Sequence, residues 1–504
     1  MNLVAADKMT SNRKSVTLGE LFEGTGCKLN SEQAAIRISG LADDSRKVKR
    51  GDLFFAVPGF SADGRKFVPE AVSLGACAVV CESNNLCGVD IPTIYCKNIR
   101  RVLSQVAAKY YGYPSLQIPV VGVTGTNGKT TTTYYLTHIM SSAGKQWGRI
   151  GTVEYFTGKR TVNAINTTPD SLLLQELLAE ICENNLSGCA MEVSSHGLDL
   201  GRCNDISFAG AIFTNLTQDH LDYHKTMERY FSAKSILFEK LVRADGFCVL
   251  NADDPYFEKM KKICRAKALS YSLIDASGAD YFVEDDGIDG RMRSFRVHHR
   301  GKIFGGALPH LGRFNLYNFV AALAAAAALD VDIESAIEAM RHAPQVPGRV
   351  QIIDMGQPFT VIVDYAHTPD ALKNLLTSLE CPRRKLVVFG CGGDRDRAKR
   401  PLMGEIAANN ADQVIVTSDN PRSEEPGKII KDILKGMSGR GNYVVIENRD
   451  EAIGRAISSA EPGDMVIIAG KGHEDYQIIG KNKHYFSDQD VARKYLKKLG
   501  YADS

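Results

Sequence analysis

The segment Val121-Gly122-Val123-Thr124-Gly125-Thr126-Asn127-Gly128-Lys129-Thr130-Thr131 passes from an apolar strand through a glycine-rich turn into a helical pattern. A turn of this kind lets backbone N–H groups approach phosphate oxygens. Lys129 adds a mobile positive charge for the outer phosphates, and the Thr130 hydroxyl is of the type that ligates magnesium. A structural strand-turn-helix corner would account for Gly125 and Gly128 but not for Lys129 and Thr130 in register behind them. The common phosphate-loop pattern asks for glycine five residues before Gly128, where this chain has Val123; its glycines stand at Gly122 and Gly125 instead.

At 504 residues the chain exceeds what one core organises and suggests about three domains. Strand-loop-helix patterns recur without an internal repeat, which predicts α/β architecture with parallel sheets. The expected blocks are 1–116, 117–346 and 347–504, with turn signals at Tyr113-Pro114 and a linker-like Ala343-Pro-Gln-Val-Pro-Gly348. In the first block, strand Leu53–Val57 is followed by a turn at Pro58-Gly59 and a helix near Val68–Ser73. In the third, strands Phe359–Val363, Lys385–Phe389, Gln413–Thr417 and Met465–Ala469 each lead into a polar loop. Loops that follow parallel strands gather at the carboxyl edge of the sheet, so these distant loops are expected to share one surface.

A net charge of +2, with both signs interspersed, gives no reason to expect nucleic acid or a membrane surface as partner. Met1–Lys14 carries Asp7, Lys8, Arg13 and Lys14 and no long apolar run, which argues against a signal peptide and for a cytoplasmic protein. The alanine-rich Phe319–Leu329 stretch is far shorter than the ~20 residues of a membrane span and reads as a buried helix. The twelve cysteines are scattered, with no C-x-x-C pair; they read as buried small residues of a reducing compartment. Cys391, in the turn Gly390–Asp394, reads as a small residue tolerated there rather than as a nucleophile.

Two further stretches bear on the chemistry. Ala190-Met-Glu192 delivers a carboxylate to a strand end before Ser194-Ser195-His196, where a magnesium ligand would stand in a nucleotide enzyme; a solvated acid is the plainer alternative. Asp219-His220-Leu-Asp222-Tyr-His224 then sets two acids and two histidines within six residues. Beside a nucleotide site they suit a metal or phosphate role as well as a structural one. Lys234 follows in the helical segment that opens at Tyr230, where composition alone does not separate it from a surface charge.

Taken together, these motifs resemble the Mur ligases of peptidoglycan synthesis, specifically the MurE-type UDP-N-acetylmuramoyl-tripeptide synthetases. The resemblance runs through Gly125–Thr131, Asn166-Thr167-Thr168-Pro-Asp170, Glu192–His196, Thr214-Asn-Leu, Asp219–Asp222, Gly312–Asn318, Pro347-Gly-Arg349, Asp364–His367 and Gly470–Glu474. It implies a central P-loop ATPase-like parallel sheet, a Rossmann-like C-terminal domain that binds an amino acid, and a smaller N-terminal α/β domain that binds UDP-sugar. It also implies a ligase that activates a substrate carboxylate as an acyl phosphate with ATP and then forms an amide with an incoming amine.

By the same resemblance Lys129 holds the outer phosphates, Thr130 and Glu192 one Mg²⁺, and His220 and a carbamylated Lys234 a second. Carbamylation needs a neutral amine, which desolvation of Lys234 would favour. Adenine falls to Asn315 or Asn318, ribose to Asp364 and phosphate contact to Arg349. UDP-MurNAc-L-Ala-D-Glu falls to Ser45, Thr167, Thr168, Ser194 and Arg202. The family often has glutamine two residues before that arginine; here it is Leu200, and its contact does not carry over. The amino acid falls to Arg395, Asp419, Asn420, Pro421, Arg422, Gly470 and Glu474. Arg422 can pair with the distal carboxylate of meso-diaminopimelate and would repel the ammonium of L-lysine. A monomer is expected.

Three rivals remain at this level: a folylpoly-γ-glutamate synthetase, which lacks a UDP-sugar domain before its phosphate loop; a P-loop kinase or regulatory NTPase; and a catalytically dead binding protein, against which Lys129, Glu192 and Lys234 count.

Overall fold

The computed structural model describes residues 15–59, 63–82 and 89–502. The expectation about Met1–Lys14 lies outside them. The chain forms two compact units, one of Met1–Gly122, Trp147–Ala209 and Ile236–Arg243, the other of Val123–Gln146, Gly210–Ser235 and Ala244–Ser504.

The first unit opens with a four-stranded parallel sheet in the order Gly40–Ala42, Asp52–Phe55, Ala78–Cys81, Thr93–Tyr95. Its inner strands are apolar on both faces, as a parallel sheet covered on both sides requires. The two-residue period sends Leu53 and Phe55 into one core, with Ile99, Val102, Leu103 and Val106 of helix Ile99–Tyr110. Phe54 and Ala56 enter the other, against Val68 and Ala71 of helix Val68–Ser73. Later in this unit Gly188–Glu192 runs parallel to Trp147–Ile150, and Glu154–Phe156 and Thr161–Asn163 add antiparallel strands. Asp170 caps helix Ser171–Glu183 by accepting from Leu173 N at 3.0 Å.

In the second unit helix Lys129–Ser142 leaves the phosphate loop, and the alanine-rich helix Phe314–Ala327 is buried over most of its length. Among the described residues no helix is long and apolar enough to cross a membrane. Strands Val242–Asn251, Lys267–Ser272 and Tyr281–Asp289 are parallel. Met292–His299 and Lys302–Leu308 then reverse, adding an antiparallel meander to the expected parallel architecture.

The remaining sheet has the order Gln351–Ile352, Thr360–Asp364, Met465–Ala469, Lys385–Phe389, Gln413–Val416, Tyr443–Val445, parallel except for its first strand. Val387 and Phe389 face helices Pro369–Ser378, Lys399–Asn410 and Pro426–Leu434, while Leu386 and Val388 face Arg449–Ser458 and Asp488–Lys498. The last long strand of the chain inserts between the first two parallel ones. The loops after Asp364, Phe389 and Ala469 therefore leave adjacent strand ends, the position at which such sheets bind ligands.

Candidate active site

The phosphate loop takes its shape from two glycines. Gly125 has φ +151° and Gly128 φ +87°. A Cβ at Gly125 would overlap the Thr214 hydroxyl, and one at Gly128 the Asn318 carboxamide oxygen. Segment Thr214–Thr217 stitches the loop in place. Thr126 N donates to Asn215 O at 2.8 Å, Asn127 N to Asn215 Oδ1 at 2.9 Å, and Thr214 Oγ1 to Asn127 O at 2.6 Å. Lys129 Nζ donates to the carbonyls of Gly125 at 3.0 Å and Thr126 at 2.8 Å, so its charge sits over the loop that would cradle phosphate. Thr130 and Thr131 are buried in the first helical turn, where unpaired N–H groups favour an anion.

Lys234, on helix Met227–Ile236, is 1 % exposed. Its Nζ donates to Gly125 O at 2.8 Å and lies 4.7 Å from the Tyr230 ring centroid. Burial, reinforced by repulsion from Lys129, holds this ammonium well below the usual lysine range. A neutral amine is the form that attacks carbon dioxide, so the surroundings suit the modification the resemblance implies. His220 is less enclosed, with a 45 % exposed side chain whose Nε2 lies 3.4 Å from Asp219 Oδ2. It begins helix Leu221–His224 at φ +53°. His224 is buried against Tyr230, ring centroids 5.2 Å apart, which gives it a packing role.

Arg349 approaches the same loop from the other side. Its Nη2 donates to Thr130 Oγ1 at 3.2 Å and its guanidinium lies 4.6 Å from the Tyr365 ring centroid. Asp364 accepts from Val350 N at 2.7 Å and Ala366 N at 2.8 Å; burial nonetheless raises its carboxyl above the ordinary range. Asn315 Nδ2 donates to Leu311 O at 2.7 Å, and Asn318 Nδ2 to Asn315 Oδ1 at 3.2 Å. Both amides open helix Phe314–Ala327. One link was not anticipated: Asp370 Oδ2 accepts from Asn127 Nδ2 at 3.0 Å and from Thr217 Oγ1 at 2.9 Å. Its only sequence signal is an acid just inside the helix that follows Asp364–Thr368.

In the first unit Glu192 is buried at its strand end. Thr152 holds both its oxygens, donating from N at 2.7 Å and from Oγ1 at 3.0 Å. Thr167 Oγ1 lies 3.0 Å from Thr152 Oγ1, Thr168 Oγ1 donates to Glu192 O at 2.9 Å, and Arg202 Nη1 to Thr168 O at 2.7 Å. Ser194 caps helix Ser195–Asp199. Five expected residues thus form one hydrogen-bonded group. Thr152, which sequence reading missed, joins it from the polar turn after strand Trp147–Ile150. Ser45 stands elsewhere in the unit, donating to Glu70 Oε2 at 2.6 Å.

The last expected group collects at the carboxyl edge of the C-terminal sheet. Asn420 Nδ2 donates to Glu474 Oε2 at 3.0 Å, and Arg422 Nη1 to Gly393 O at 2.8 Å. Arg422 is left-handed at φ +52°, a conformation costing a side-chain-bearing residue about 1 kcal/mol or more. Strand Tyr476–Ile479 holds it there: Arg422 N donates to Ile478 O at 3.0 Å, Gly480 N to Arg422 O at 2.7 Å, Gln477 Nε2 to Asp419 O at 2.6 Å and Ile478 N to Asn420 Oδ1 at 2.9 Å. Pro421 is buried inside the turn, Gly470 follows its strand at φ +120°, and Arg395 is exposed on the neighbouring loop. Beneath the turn, buried Arg400 donates to Glu424 at 2.7 Å and to Asp432 at 3.1 Å. Cys391 is buried with its thiol pushed up to about 12 by desolvation, so it stays protonated and fills space.

Among the described residues no three His, Cys, Asp or Glu side chains form a ready-made metal cage. Magnesium does not need one, since it keeps waters and binds substrate phosphates along with one or two carboxylates. In the second unit the Thr130 hydroxyl and a carbamate on Lys234 would be hard oxygen donors and His220 would add a nitrogen; in the first, the Glu192 carboxylate is a donor of the same kind.

With this geometry in view, three family models match in chain order: "Mur ligase family, catalytic domain" over residues 37–111, "Mur ligase middle domain" over 123–326 and "Mur ligase, glutamate ligase domain" over 348–472. The chain belongs to the Mur ligase family. Its relatives include the UDP-N-acetylmuramoyl-L-alanyl-D-glutamate--2,6-diaminopimelate ligase of Geobacillus kaustophilus, 44% identical over 92% of this chain and 96% of the relative. The ligase of that name from Listeria monocytogenes is 42% identical over 96% of this chain and 100% of its own length. A solved structure of a ligase of that name is 34% identical, with a TM-score of 0.68 over 97% of this chain and 100% of the other. The folylpolyglutamate synthase of Mycobacterium tuberculosis shares the fold at 16% identity, with a TM-score of 0.60 over 80% of this chain and 96% of the other.

Proposed function

We propose that this Mur ligase joins meso-diaminopimelate to UDP-N-acetylmuramoyl-L-alanyl-D-glutamate at the expense of ATP, in peptidoglycan precursor synthesis. The glutamate carboxylate takes the γ-phosphoryl group to give an acyl phosphate and ADP. A neutral amine of diaminopimelate then attacks the acyl carbon, the C–O bond to phosphate breaks, and amide, phosphate and a proton leave. Phosphoryl transfer between two anions needs alignment and charge cancellation more than covalent help. Lys129 and the N–H groups of Gly125–Thr131 hold the phosphates, Arg349 steadies Thr130 and the adjoining phosphate, Asp364 takes the ribose, and Asn315 or Asn318 the adenine. Thr167, Thr168, Ser194 and Arg202 hold the muramoyl-peptide end and Ser45 the uridine-sugar end. One magnesium ion would rest on Thr130 and Glu192 and a second on His220 and carbamylated Lys234, and when bound they would neutralise charge on the phosphoryl oxygens.

The observation that carries the choice of amino acid is the Asp419-Asn420-Pro421-Arg422 turn, strapped so that Arg422 stands with Asn420 and Glu474. A carboxylate for the guanidinium and an ammonium for the acids describe one end of diaminopimelate. In L-lysine that end carries only an ammonium. The three blocks 1–116, 117–346 and 347–504 divide the work into UDP-sugar, ATP and amino-acid binding. All expected groups lie on one chain, so a monomer suffices; ATP and a UDP-sugar are cytoplasmic metabolites, so the reaction belongs in the cytoplasm.

Phosphate release measured with ATP and the UDP-dipeptide, plus meso-diaminopimelate or L-lysine, tests the reading. Turnover with diaminopimelate alone is expected. Equal rates with both amino acids would remove the role given to Arg422, and steady release with no amine would point to an NTPase.

A further inference from the structure

The motif Gly470-Lys471-Gly-His-Glu474 lends two residues to the amino-acid pocket, and its lysine has so far no part in the chemistry. Lys471 is 0 % exposed. Its Nζ lies 3.3 Å from Glu474 Oε2, 3.3 Å from Asn420 Oδ1 and 3.4 Å from Asp419 Oδ1, with the Tyr476 ring centroid 5.5 Å away. One ammonium thus reaches three side chains from two loops that follow different strands. Two other buried cations nearby are committed elsewhere, Arg449 to Asp488 at 2.7 Å and to Ala469 O at 3.0 Å, Arg400 to Glu424 and Asp432.

We infer that Lys471 is the positioning residue of the diaminopimelate pocket, ordering Asp419, Asn420 and Glu474 about a single buried charge. Two carboxylates this close repel each other and would splay apart or take up a proton. A cation between them removes that repulsion, and, shielded from bulk solvent, its three donors fix the side chains in direction as well as in place. Lys471 engages one oxygen of each acid and so decides where the other points. The charge count also matters. Two acids against one lysine leave the local cluster one negative charge, which suits a substrate ammonium, while Arg422 supplies the separate positive charge for a carboxylate. An apolar residue at 471 would leave two acids unbalanced, with Asn420 held by fewer partners.

The inference rests on the pocket assignment made above, so the experiment separates the two. Steady-state kinetics are measured on Lys471→Met, Glu474→Gln, the double variant and Arg422→Ala. Lys471→Met should raise the KM for diaminopimelate at least tenfold and leave the KM for ATP within twofold. The double variant should be little worse than the poorer single one, because Lys471 acts through Glu474 and its neighbours. Parallel rises in all KM values, or additive effects in the double variant, overturn the positioning role. If Lys471→Met does not fold, Lys471→Gln, which keeps donors without the charge, takes its place; failure of both to fold makes the lysine structural and overturns the inference. An effect of Arg422→Ala with none of Lys471→Met refutes the lysine alone, and no effect of either refutes the pocket.

Discussion

The phosphate loop and the amino-acid turn are both short polar segments at strand ends, yet they are built in opposite ways. The loop at Gly125–Thr131 is shaped by its own backbone. Its glycines occupy left-handed or otherwise glycine-favouring φ, its own backbone N–H and C=O groups make most of its bonds to Thr214–Thr217, and its lysine folds back on the loop itself. The Asp419–Arg422 turn contains no glycine and is shaped from outside, by strand Tyr476–Ile479 and by side chains from Lys471 and Glu474. A triphosphate is the same ligand in every enzyme that uses it, and backbone N–H groups suffice to hold it. Selecting one amino acid requires side chains with fixed directions, and those need support from elsewhere in the chain.

The contrast can be broken at its strongest point first. Gly125→Ala places a methyl group onto the Thr214 hydroxyl at a φ that alanine avoids. It should lower kcat/KM for ATP by about 10²-fold or more while diaminopimelate binding, read by calorimetry in the absence of nucleotide, stays put. Coupled loss of both would mean that the two sites are not independently built. Lys129→Met should cost about 10²- to 10³-fold in kcat, the scale of losing one preorganised charge at a transferring phosphoryl group. Arg422→Ala should raise the diaminopimelate KM by about 10- to 100-fold, as for a lost charge-assisted hydrogen bond, with ATP unaffected.

A smaller effect tests a contact the phosphate loop makes outside Thr214–Thr217. Asp370→Ala leaves Asn127 and Thr217 without their shared acceptor, and a neutral hydrogen-bond scale of ~1 kcal/mol predicts about a fivefold rise in the ATP KM. No change would show that the loop is wholly self-sufficient. A pH effect on stability is expected in the first unit. The Asp43 carboxyl is pushed up to about 7 by burial and by the neighbouring Asp170 carboxylate. The folded state therefore holds a proton that the unfolded chain has released between its ordinary carboxylate pKa and pH ~7, and stability falls as pH rises through that window. Melting curves from pH 5 to pH 8 should show a steeper decline for the native chain than for Asp43→Asn.

The sequence made legible what depends on local pattern. The strands expected at Phe359–Val363, Lys385–Phe389, Gln413–Thr417 and Met465–Ala469 differ from those observed by one residue at most, because unbroken apolar runs ended by polar turns leave little choice. The buried helix at Phe319–Leu329 was legible for the same reason. The supporting residues were not. Thr152, Asp370, Arg400, Arg449 and Lys471 are ordinary polar residues in the chain, and only tertiary packing decides which of them are buried and whom they meet. The antiparallel meander Met292–Leu308 escaped too, since its alternating exposed and buried positions lack the apolar run that marks the parallel strands.

The strap across the amino-acid turn uses backbone atoms for most of its bonds, which has a consequence for how this protein can drift. Gln477 donates to Asp419 O through its own amide, whereas Ile478 and Ile479 can be exchanged with little penalty, since it is peptide groups that meet Asn420 and Arg422. Chain length cannot. One residue inserted between Glu474 and Tyr476 would turn the strand over and offer Arg422 the wrong partners. Related sequences should therefore vary in letter at Ile478 and Ile479 and keep the count.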